Sequence, residues 1–474
     1  MEPYLDLLRE AGQAAIRLFA QPYLYIAVLI VYWHARQGSL LQRRLFHVRL
    51  YGALYLSMLR VLAGLGVGVA LSLAGLAAGA ELTEGTLLCV WIAMGVLAIL
   101  RLRYICLAYA AGALGVLQVA LDAVGTDSLS QGFWLDVVNE VDAISVPSLL
   151  FLAGVLHVGE GVLVRLQGAK QAIPLFLEGK RGKPMGAFAL SGAWPIPLLW
   201  LVPSGSGIAL PWTPLFGQAD GIAGWSLIAF PVLIGFSDRT WTQWPEKKAK
   251  TSGNLLVVYG VLIAGLAAGA EFWSPLTIVA AVAAFALHEG LLLFGRKREE
   301  GRGPIFGQDG SGVRVLAVLP GTPAQEMGFQ SGEIIKKVNG ASVRTKEELH
   351  AAIGKQAAFT KLEVVNREGH IRFVQRAKYE GEHYQLGLIL APDEDVDYVA
   401  APRSASIWQG LREAGAKRRF GRTEAAKARA RYDAERAAAE QAAAIAAEAE
   451  AEALANESAD SGLPSRVAAS KKKY

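Results

Sequence analysis

The sequence predicts a helical membrane-spanning bundle, followed by a small α/β domain and a charged tail. The chain has 474 residues, of which 53% are hydrophobic and 19% charged, and the long apolar segments all lie before residue 295. Such segments are typical of polytopic membrane proteins. From about residue 303 to residue 392 the pattern changes to short alternating strands separated by turns. After residue 392 the chain is rich in Ala, Glu and Arg.

The apolar segments predict about nine membrane-spanning helices, because a helix needs about 20 apolar residues to cross a bilayer. The predicted spans are 18–35, 53–78, 85–100, 104–121, 144–164, 186–203, 222–236, 254–271 and 275–294. Pro195 and Pro197 in the sixth span and Pro231 in the seventh allow a broken or re-entrant segment instead. Residues 1–17 then form an extracytoplasmic N-terminus, 18–294 the multi-span domain and 295–302 a basic linker.

The charges of the loops predict the orientation. With residue 1 outside, the outer loops at 122–143 and 204–221 contain Asp and Glu but neither Lys nor Arg. The inner loops carry the basic residues, among them Arg43, Arg44, Arg101, Arg103, Lys170, Lys247, Lys248, Arg296, Lys297 and Arg298. This is the positive-inside pattern, and it predicts that the α/β domain and the C-terminus are cytoplasmic.

Four ionisable residues lie inside predicted spans: His157 and Glu160 in the fifth, and His288 and Glu289 in the ninth. Because ionisable groups inside a membrane are costly and usually paired, we expect the two helices to meet in a hydrogen-bonded polar cluster. A metal site is the alternative, since His and Glu are ligands, but structural pairing is favoured. Leu292 stands where a zinc-protease motif would need its second His.

The other candidate features of the membrane half favour structural roles. Cys89 and Cys106 lie in apolar stretches with neither a disulfide framework nor metal-ligand spacing, and we interpret both as inert buried thiols. Glycines recur four residues apart at Gly64 and Gly68, Gly75 and Gly79, and Gly265 and Gly269. Such spacing allows helices to approach closely, which favours a tight bundle within one chain over a dimer face.

The stretch 303–392 contains a regular series of strand, turn and helix signals. An alternating strand at 313–319 ends at Leu319-Pro320-Gly321-Thr322-Pro323-Ala324, and Gly332-Glu333-Ile334-Ile335 leads to the turn of Val338-Asn339-Gly340. Thr345 and Glu348 form a capping box for a helix up to Ile353. Two further strands and a final Leu386-Gly387-Leu388-Ile389 complete the series. These motifs resemble those of bacterial PDZ domains, with Ser331-Gly332-Glu333 in place of the usual Pro-Gly-Asp.

The resemblance implies a peptide-binding groove, because PDZ domains add a peptide as a strand at the sheet edge. Leu386, Gly387, Leu388 and Ile389 match the loop whose backbone N–H groups receive a terminal carboxylate. The helix from Lys346 to Ile353 would form the other wall of the groove. Its candidate side-chain contacts are Leu349, His350 and Ile353. Leu349 and Ile353 could equally be core residues, and His350 a solvated helix residue.

The tail, residues 393–474, contains basic clusters at 417–422 and 471–473 and an Ala-rich stretch at 424–456. Its composition favours a solvated helix or a partly disordered arm, which either touches anionic lipid or solubilises the protein.

As a whole, residues 1–392 resemble the MinJ family of Gram-positive bacteria. The resemblance is carried by Arg43-Arg44-Leu45-Phe46-His47-Val48-Arg49, by His157 and Glu160, and by Tyr379 to Gly387. It implies a plasma-membrane scaffold for division-site placement, enriched at septum and poles, that bridges DivIVA-like and MinD-like proteins. The sequence contains no catalytic motif and suggests no cofactor and no nucleic-acid partner. The alternatives are a membrane protease or its regulator, and a transporter.

Overall fold

The structure is a computed structural model, and it describes residues 2–124, 132–179, 182–205, 207–216, 224–355, 359–377 and 386–393. The predicted tail, from residue 394 onward, lies outside the described residues. The helices are α1 (Glu2–Ala20), α2 (Pro22–Phe46), α3 (Ala53–Ala78), α4 (Glu84–Leu100), α5 (Leu107–Val124), α6 (Phe133–Asp142), α7 (Val146–Leu163), α8 (Pro245–Phe272), α9 (Leu276–Glu300), α10 (Pro323–Glu326) and α11 (Lys346–Gly354). The strands are β1 (Ile173–Glu178), β2 (Pro184–Ser204), β3 (Gly224–Thr240), β4 (Val313–Val318), β5 (Ile334–Val338), β6 (Ala341–Ser342), β7 (Phe359–Val365), β8 (Ile371–Ala377) and β9 (Leu388–Leu390).

Five helices in the described part of the chain are long and apolar enough to cross a membrane: α3, α5, α7, α8 and α9. Helix α7 continues as a π-helical turn, so that its apolar stretch covers Val146–Gly168. Helices α1 and α2 meet at a bend of 62° and count together as a sixth candidate, whereas α4 has only 17 residues. The predicted number of nine helical spans is therefore not confirmed.

Two of the predicted spans are strands, which corrects the prediction of an all-α membrane region. Segments 186–203 and 222–236 belong to β2 and β3, which pair antiparallel from Phe188↔Thr240 to Ser204↔Gly224. The prolines at 195, 197 and 231 disfavour a helix, because proline lacks the N–H that a helix interior needs. Hydropathy alone cannot distinguish an apolar strand enclosed by protein from an apolar helix. Non-helical backbone at membrane depth is tolerated where protein surrounds it.

Helix α3 covers the open edge of β2. Strand β1 pairs only with residues 184–189 of β2, so that the rest of this edge has no strand partner. The glycines at 64, 68 and 75 bring α3 into contact with it: a Cβ at these positions would overlap the Pro195 carbonyl, the Pro197 carbonyl and the Trp200 ring. These glycines therefore serve helix–strand contact rather than the predicted helix–helix contact. Gly265, in contrast, has no atom within 4 Å of its would-be Cβ.

Two backbone groups on this edge of β2 are bonded to polar side chains of α3. The Ser191 carbonyl accepts a hydrogen bond from Arg60 at 3.1 Å, and Ser72 Oγ accepts one from the Leu199 N–H at 2.9 Å. Because the N–H and C=O of one strand residue point to the same side, Pro195 and Pro197 lack a donor on the edge that faces α3. Proline is thus tolerated in this long strand, since its missing N–H falls where no strand pairs.

Helices α5, α7, α8 and α9 form the apolar centre of the bundle. Small residues again allow backbone contact: a Cβ on Gly154 of α7 would lie 2.7 Å from the Gly260 carbonyl oxygen of α8, and one on Gly112 of α5 would lie 2.7 Å from the Ala281 carbonyl oxygen of α9. This close packing brings the polar residues of α5, α7 and α9 next to each other.

The C-terminal α/β domain has a sheet of order β8-β7-β5-β4-β9, with β6 paired to β5. Its core consists of apolar side chains from the strands and from α11: Val313, Val315, Ala324, Phe329, Ile335, Val338, Val343, Leu349, Ala352, Ile353, Leu362, Val364 and Val374. Among the strands that the structure describes, β9 pairs with β4 alone and so forms one edge of the sheet. This order agrees with the predicted PDZ-like strand arrangement.

The α/β domain packs on one end of the bundle through a surface that we call the docking surface. It comprises Phe188, Leu190, Trp244, Ala249, Phe306, Leu316, Ala317 and Ile389. The Gly186 N–H donates to the Phe306 carbonyl at 3.0 Å, and the Ile305 N–H donates to the Trp241 carbonyl at 2.9 Å. The connection between bundle and domain is therefore held by both backbone and apolar contacts.

Candidate peptide-binding groove and intramembrane polar cluster

The groove lies between the edge strand β9 and helix α11. Leu388 and Leu390 are partly buried and pack on the same core cluster as Leu349 and Ile353, which are 2% and 6% exposed. Leu349 and Ile353 are thus core residues of the domain, which is one of the two roles that the sequence left open. The free edge of β9 carries the backbone groups with which an added strand would pair.

The loop before β9 has a backbone geometry that requires glycine at position 387. Gly387 has φ = 83°, and a Cβ there would overlap the Thr322 side chain. The carbonyls of Leu386 and Gly387 accept hydrogen bonds from the N–H groups of Ala324 and Leu319, both at 2.9 Å. Among the described residues, the N–H groups of Leu386 and Gly387 donate to no other group. The loop is held by its carbonyls and leaves these donors available.

Helix α11 begins with the predicted cap. Thr345 Oγ1 accepts from the Glu348 N–H at 3.2 Å, and Glu348 accepts in return from the Arg344 N–H at 2.7 Å. His350 is half-buried on this helix, and burial, together with the nearby Lys346, lowers the pKa of its imidazole. The neutral form of the side chain is therefore favoured. It can exchange one donor and one acceptor with a ligand.

Ile389 lies on the other face of β9. It is 5% exposed and belongs to the docking surface against the bundle, whereas Leu388 and Leu390 face the domain core. Successive side chains of a strand point to opposite faces. The Gly387 carbonyl and the Ala391 N–H bond to residues in or directly after β4, so the backbone groups of Ile389, two residues from each, face β4 as well and not the groove edge. Of the seven predicted groove residues, Leu349 and Ile353 are core residues and Ile389 has its side chain on the docking surface. The other four lie on the loop, strand and helix at which the groove is predicted: Leu386, Gly387, Leu388 and His350.

An ion pair that the sequence analysis missed holds the part of the sheet away from β9, between β5 and the opposite edge strand β8. Glu333 is 3% exposed and accepts two hydrogen bonds from Arg372, at 2.7 and 3.0 Å, and a third from the Gln330 N–H at 2.9 Å. This bidentate pair joins the start of β5 to β8. The carboxylate of this pair belongs to Glu333, which stands where the usual Pro-Gly-Asp motif has its Asp.

In the bundle, the structure brings His157 and His288 together, with ring centroids 5.2 Å apart. Glu289 binds the Arg103 guanidinium and accepts a hydrogen bond from Tyr109 Oη at 3.0 Å. Glu160 Oε2 lies 3.9 Å from His157 Nε2. Three further members were missed because nothing local links them to the predicted four: Arg103, Cys106 and Tyr109. They come from the start of α5 and the turn before it, and only tertiary packing brings them here.

The comparisons with known proteins agree with this architecture. A PDZ domain model matches residues 314–365. Together with the apolar helices, this defines the class: a multi-pass membrane protein that carries a PDZ domain. The chain is 31% identical over 265 residues to the cell division topological determinant MinJ of Bacillus subtilis. The matched stretch covers 55% of this chain and 66% of that protein. It is 27% identical over 253 residues to a probable MinJ of Lacticaseibacillus paracasei, covering 52% and 66%. The chain is thus a homologue of the MinJ proteins, and the match spans 66% of their length.

The serine protease HTRA1 of Xenopus laevis is 37% identical over 65 residues, which are 14% of each chain. A match of this extent is too small to include a protease domain together with a PDZ domain. It therefore gives no support for a proteolytic activity of this chain.

Proposed function

We propose that this protein is a membrane-anchored adaptor for division-site placement, which captures peptide segments of partner proteins at the groove between β9 and α11. The observation that carries the proposal is the free edge of β9 beside α11, on a domain fixed to a membrane bundle. An edge strand beside a helix is the element to which PDZ domains add a peptide strand.

The proposed orientation places the PDZ domain in the cytoplasm. The bundle end that carries the docking surface is rich in cations, among them Lys247, Lys248 and Lys250 at the start of α8 and Lys297 and Arg298 at the end of α9. At the other end, Glu81 forms a bridge beside Leu201, near the end of β2, and Glu140 lies next to Gly85. A cationic end on the PDZ side fits the positive-inside rule.

The proposed partners are DivIVA-like and MinD-like division proteins, at the septum and the poles. The support is the printed description of the relatives as division topological determinants, together with the peptide-binding architecture. A terminal carboxylate at the free N–H groups of Leu386 and Gly387 is one binding mode, and an internal strand along β9 is the other.

The test is the position of a fluorescent fusion in growing cells, combined with co-purification of the two partner classes. Wild-type protein should be enriched at septum and poles and should retain a partner. Gly387→Ala should lose both, while Gly369→Ala, at a turn with φ = 89° and open space, should keep both. An even membrane distribution of the wild type, with no partner retained, would contradict the adaptor. Substrate uptake in proteoliposomes would favour the transporter instead.

A further inference from the structure

We propose that Cys106, His157 and His288 form a zinc site that joins helices α5, α7 and α9 inside the bundle. One potential ligand atom from each residue lies within 4.8 Å of the other two. Thiolate and imidazole are the ligands that zinc prefers in proteins. The sequence analysis favoured structural pairing of the intramembrane His and Glu residues over a metal site, and it interpreted Cys106 as an inert thiol.

The distances fit a tetrahedral ion. With Zn–S of about 2.3 Å and Zn–N of about 2.0–2.1 Å, two ligand atoms of one zinc are about 3.3–3.6 Å apart. The Cys106 sulfur is already 3.4 Å from His157 Nε2. The most distant pair of the three must close by on the order of 1 Å, which a side-chain rotation can supply.

The hydrogen bonds of His157 leave a lone pair on the nitrogen that faces Cys106. Its Nδ1 lies 2.7 Å from the Ala153 carbonyl oxygen. Since a carbonyl can only accept, Nδ1 carries the proton and Nε2 keeps the lone pair. This Nε2 is the atom next to the Cys106 sulfur. Orientation of a ligating histidine through its second nitrogen is the usual arrangement in metal sites.

The same argument applies to His288, through a longer chain of groups. Arg103 can only donate, so the Glu289 carboxylate accepts from it, and it accepts from Tyr109 as well. Tyr109 therefore donates its proton to Glu289, at 3.0 Å, and must accept at its oxygen from His288 Nδ1, at 2.8 Å. Nε2 of His288 then keeps the lone pair. Tyr109 is a positioning residue, which sets the tautomer of a ligand without touching the ion.

The remaining groups complete the site. Hydrogen bonds from the backbone of Ala108 and Tyr109, at the start of α5, reach the Cys106 sulfur and hold it in place beside His157. Glu160 Oε2 is 3.9 Å from His157 Nε2 and can supply the fourth ligand. Coordination replaces the thiol proton, which leaves to solvent.

The experiment uses the full-length chain in detergent or nanodiscs, with any affinity tag removed. The protein is loaded with Zn²⁺, desalted against a weak chelator and analysed by elemental mass spectrometry. We expect about one zinc per wild-type chain and at least a ten-fold weaker affinity for Cys106→Ser, His157→Gln and His288→Gln. Cys89→Ser and His350→Gln remove the same residue types elsewhere and should bind as the wild type does.

Two further measurements separate a ligand from a structural residue. Loading with Co²⁺ should give a thiolate charge-transfer band in the wild type and in Cys89→Ser, and none in Cys106→Ser. Tyr109→Phe keeps the ring packing and should lower zinc affinity about 10- to 100-fold by freeing the His288 tautomer. If the wild type retains no more zinc than the Cys106→Ser variant, or if its cobalt form lacks the thiolate band, the proposal is wrong.

Discussion

The Arg367 guanidinium of the PDZ domain lies over the Trp244 ring of the membrane bundle, 4.4 Å from its centroid. The same guanidinium is 3.6 Å from Glu246, and its Nε donates to the Ser331 carbonyl at 2.7 Å. One side chain thus connects the loop before β5, the β7–β8 turn and the start of α8. This contact borders the docking surface, and it shows that the domain is seated on the bundle and not merely tethered to it.

Arg367→Ala should loosen the domain on the bundle. Loss of the cation–π contact removes roughly 0.5–1 kcal/mol at a partly exposed site. Hydrogen exchange should therefore become faster at residues 241–250 and 303–307. The matched control is Lys361→Ala, which removes a cation 5.4 Å from the Phe373 ring within the domain itself. Equal exchange in both variants would show that Arg367 does not hold the interface.

Gly68→Val should prevent assembly of the bundle, because the added side chain would overlap the Pro197 carbonyl and push β2 away from α3. Overpacking of this kind costs about 1–3 kcal/mol even when side chains can adjust, and here the obstacle is backbone. Gly66→Val is the control, since nothing lies within 4 Å of its would-be Cβ and the helix propensity change is the same. The measurement is the yield of monodisperse protein after detergent extraction; equal yields would argue against the contact.

Gly387→Ala should abolish peptide capture with a smaller effect on the domain fold. The φ of 83° costs an L-residue roughly 1–2 kcal/mol, and contact with Thr322 adds to this. Gly369→Ala carries the same backbone cost in open space. Affinity for a partner peptide, measured by fluorescence anisotropy, should fall only for the first variant. Retained affinity in Gly387→Ala would exclude this loop from the groove.

Glu333→Ala should strongly destabilise the PDZ domain, because it leaves the Arg372 guanidinium without its bidentate partner. Breaking a fully buried pair costs about 3–5 kcal/mol, and since Arg372 is 31% exposed we expect the lower end. Glu363→Ala removes a surface partner of Lys337 and should cost under about 1 kcal/mol. Urea unfolding followed by hydrogen exchange within β5 and β7 measures both, and similar midpoints would contradict the difference.

The loop before β4 should weaken at acidic pH. Burial opposes ionisation of Asp309, but hydrogen bonds from Ser311 and the nearby Arg314 more than offset it and lower the pKa of the carboxyl. Its stabilisation is therefore present above the unfolded pKa of about 3.9 and is lost as pH falls through the folded value. Asp309→Asn should remove this pH dependence of exchange at residues 307–314. An unchanged profile would show that another group titrates.

The sequence could predict the elements whose signals are local. The turn at Asn339-Gly340, the cap of Thr345 and the strand β4 depend on neighbouring residues, and the structure contains all three. The predicted half-buried alternation of β4 is absent, because Leu316 packs on the docking surface. The β2–β3 hairpin was predicted as two helices because enclosed strands have no polar face to reveal them. The polar cluster was half predicted. The free-energy cost of an ionisable side chain inside a membrane indicated His157 and His288. Cys106 and Tyr109 look like ordinary residues of an apolar segment, and only the packing of α5 on α9 brings them into the cluster.

Every bundle residue of the docking surface precedes the PDZ domain in the chain: Phe188 and Leu190 on β2, Trp244 before α8 and Ala249 within it. During synthesis, the residues that form the bundle side of the docking surface therefore leave the ribosome before the PDZ domain does. Because β2 is itself enclosed by α3, this side of the docking surface exists only once the hairpin has been built into the bundle. The PDZ domain can therefore dock on the bundle only after β2 has been packed into it.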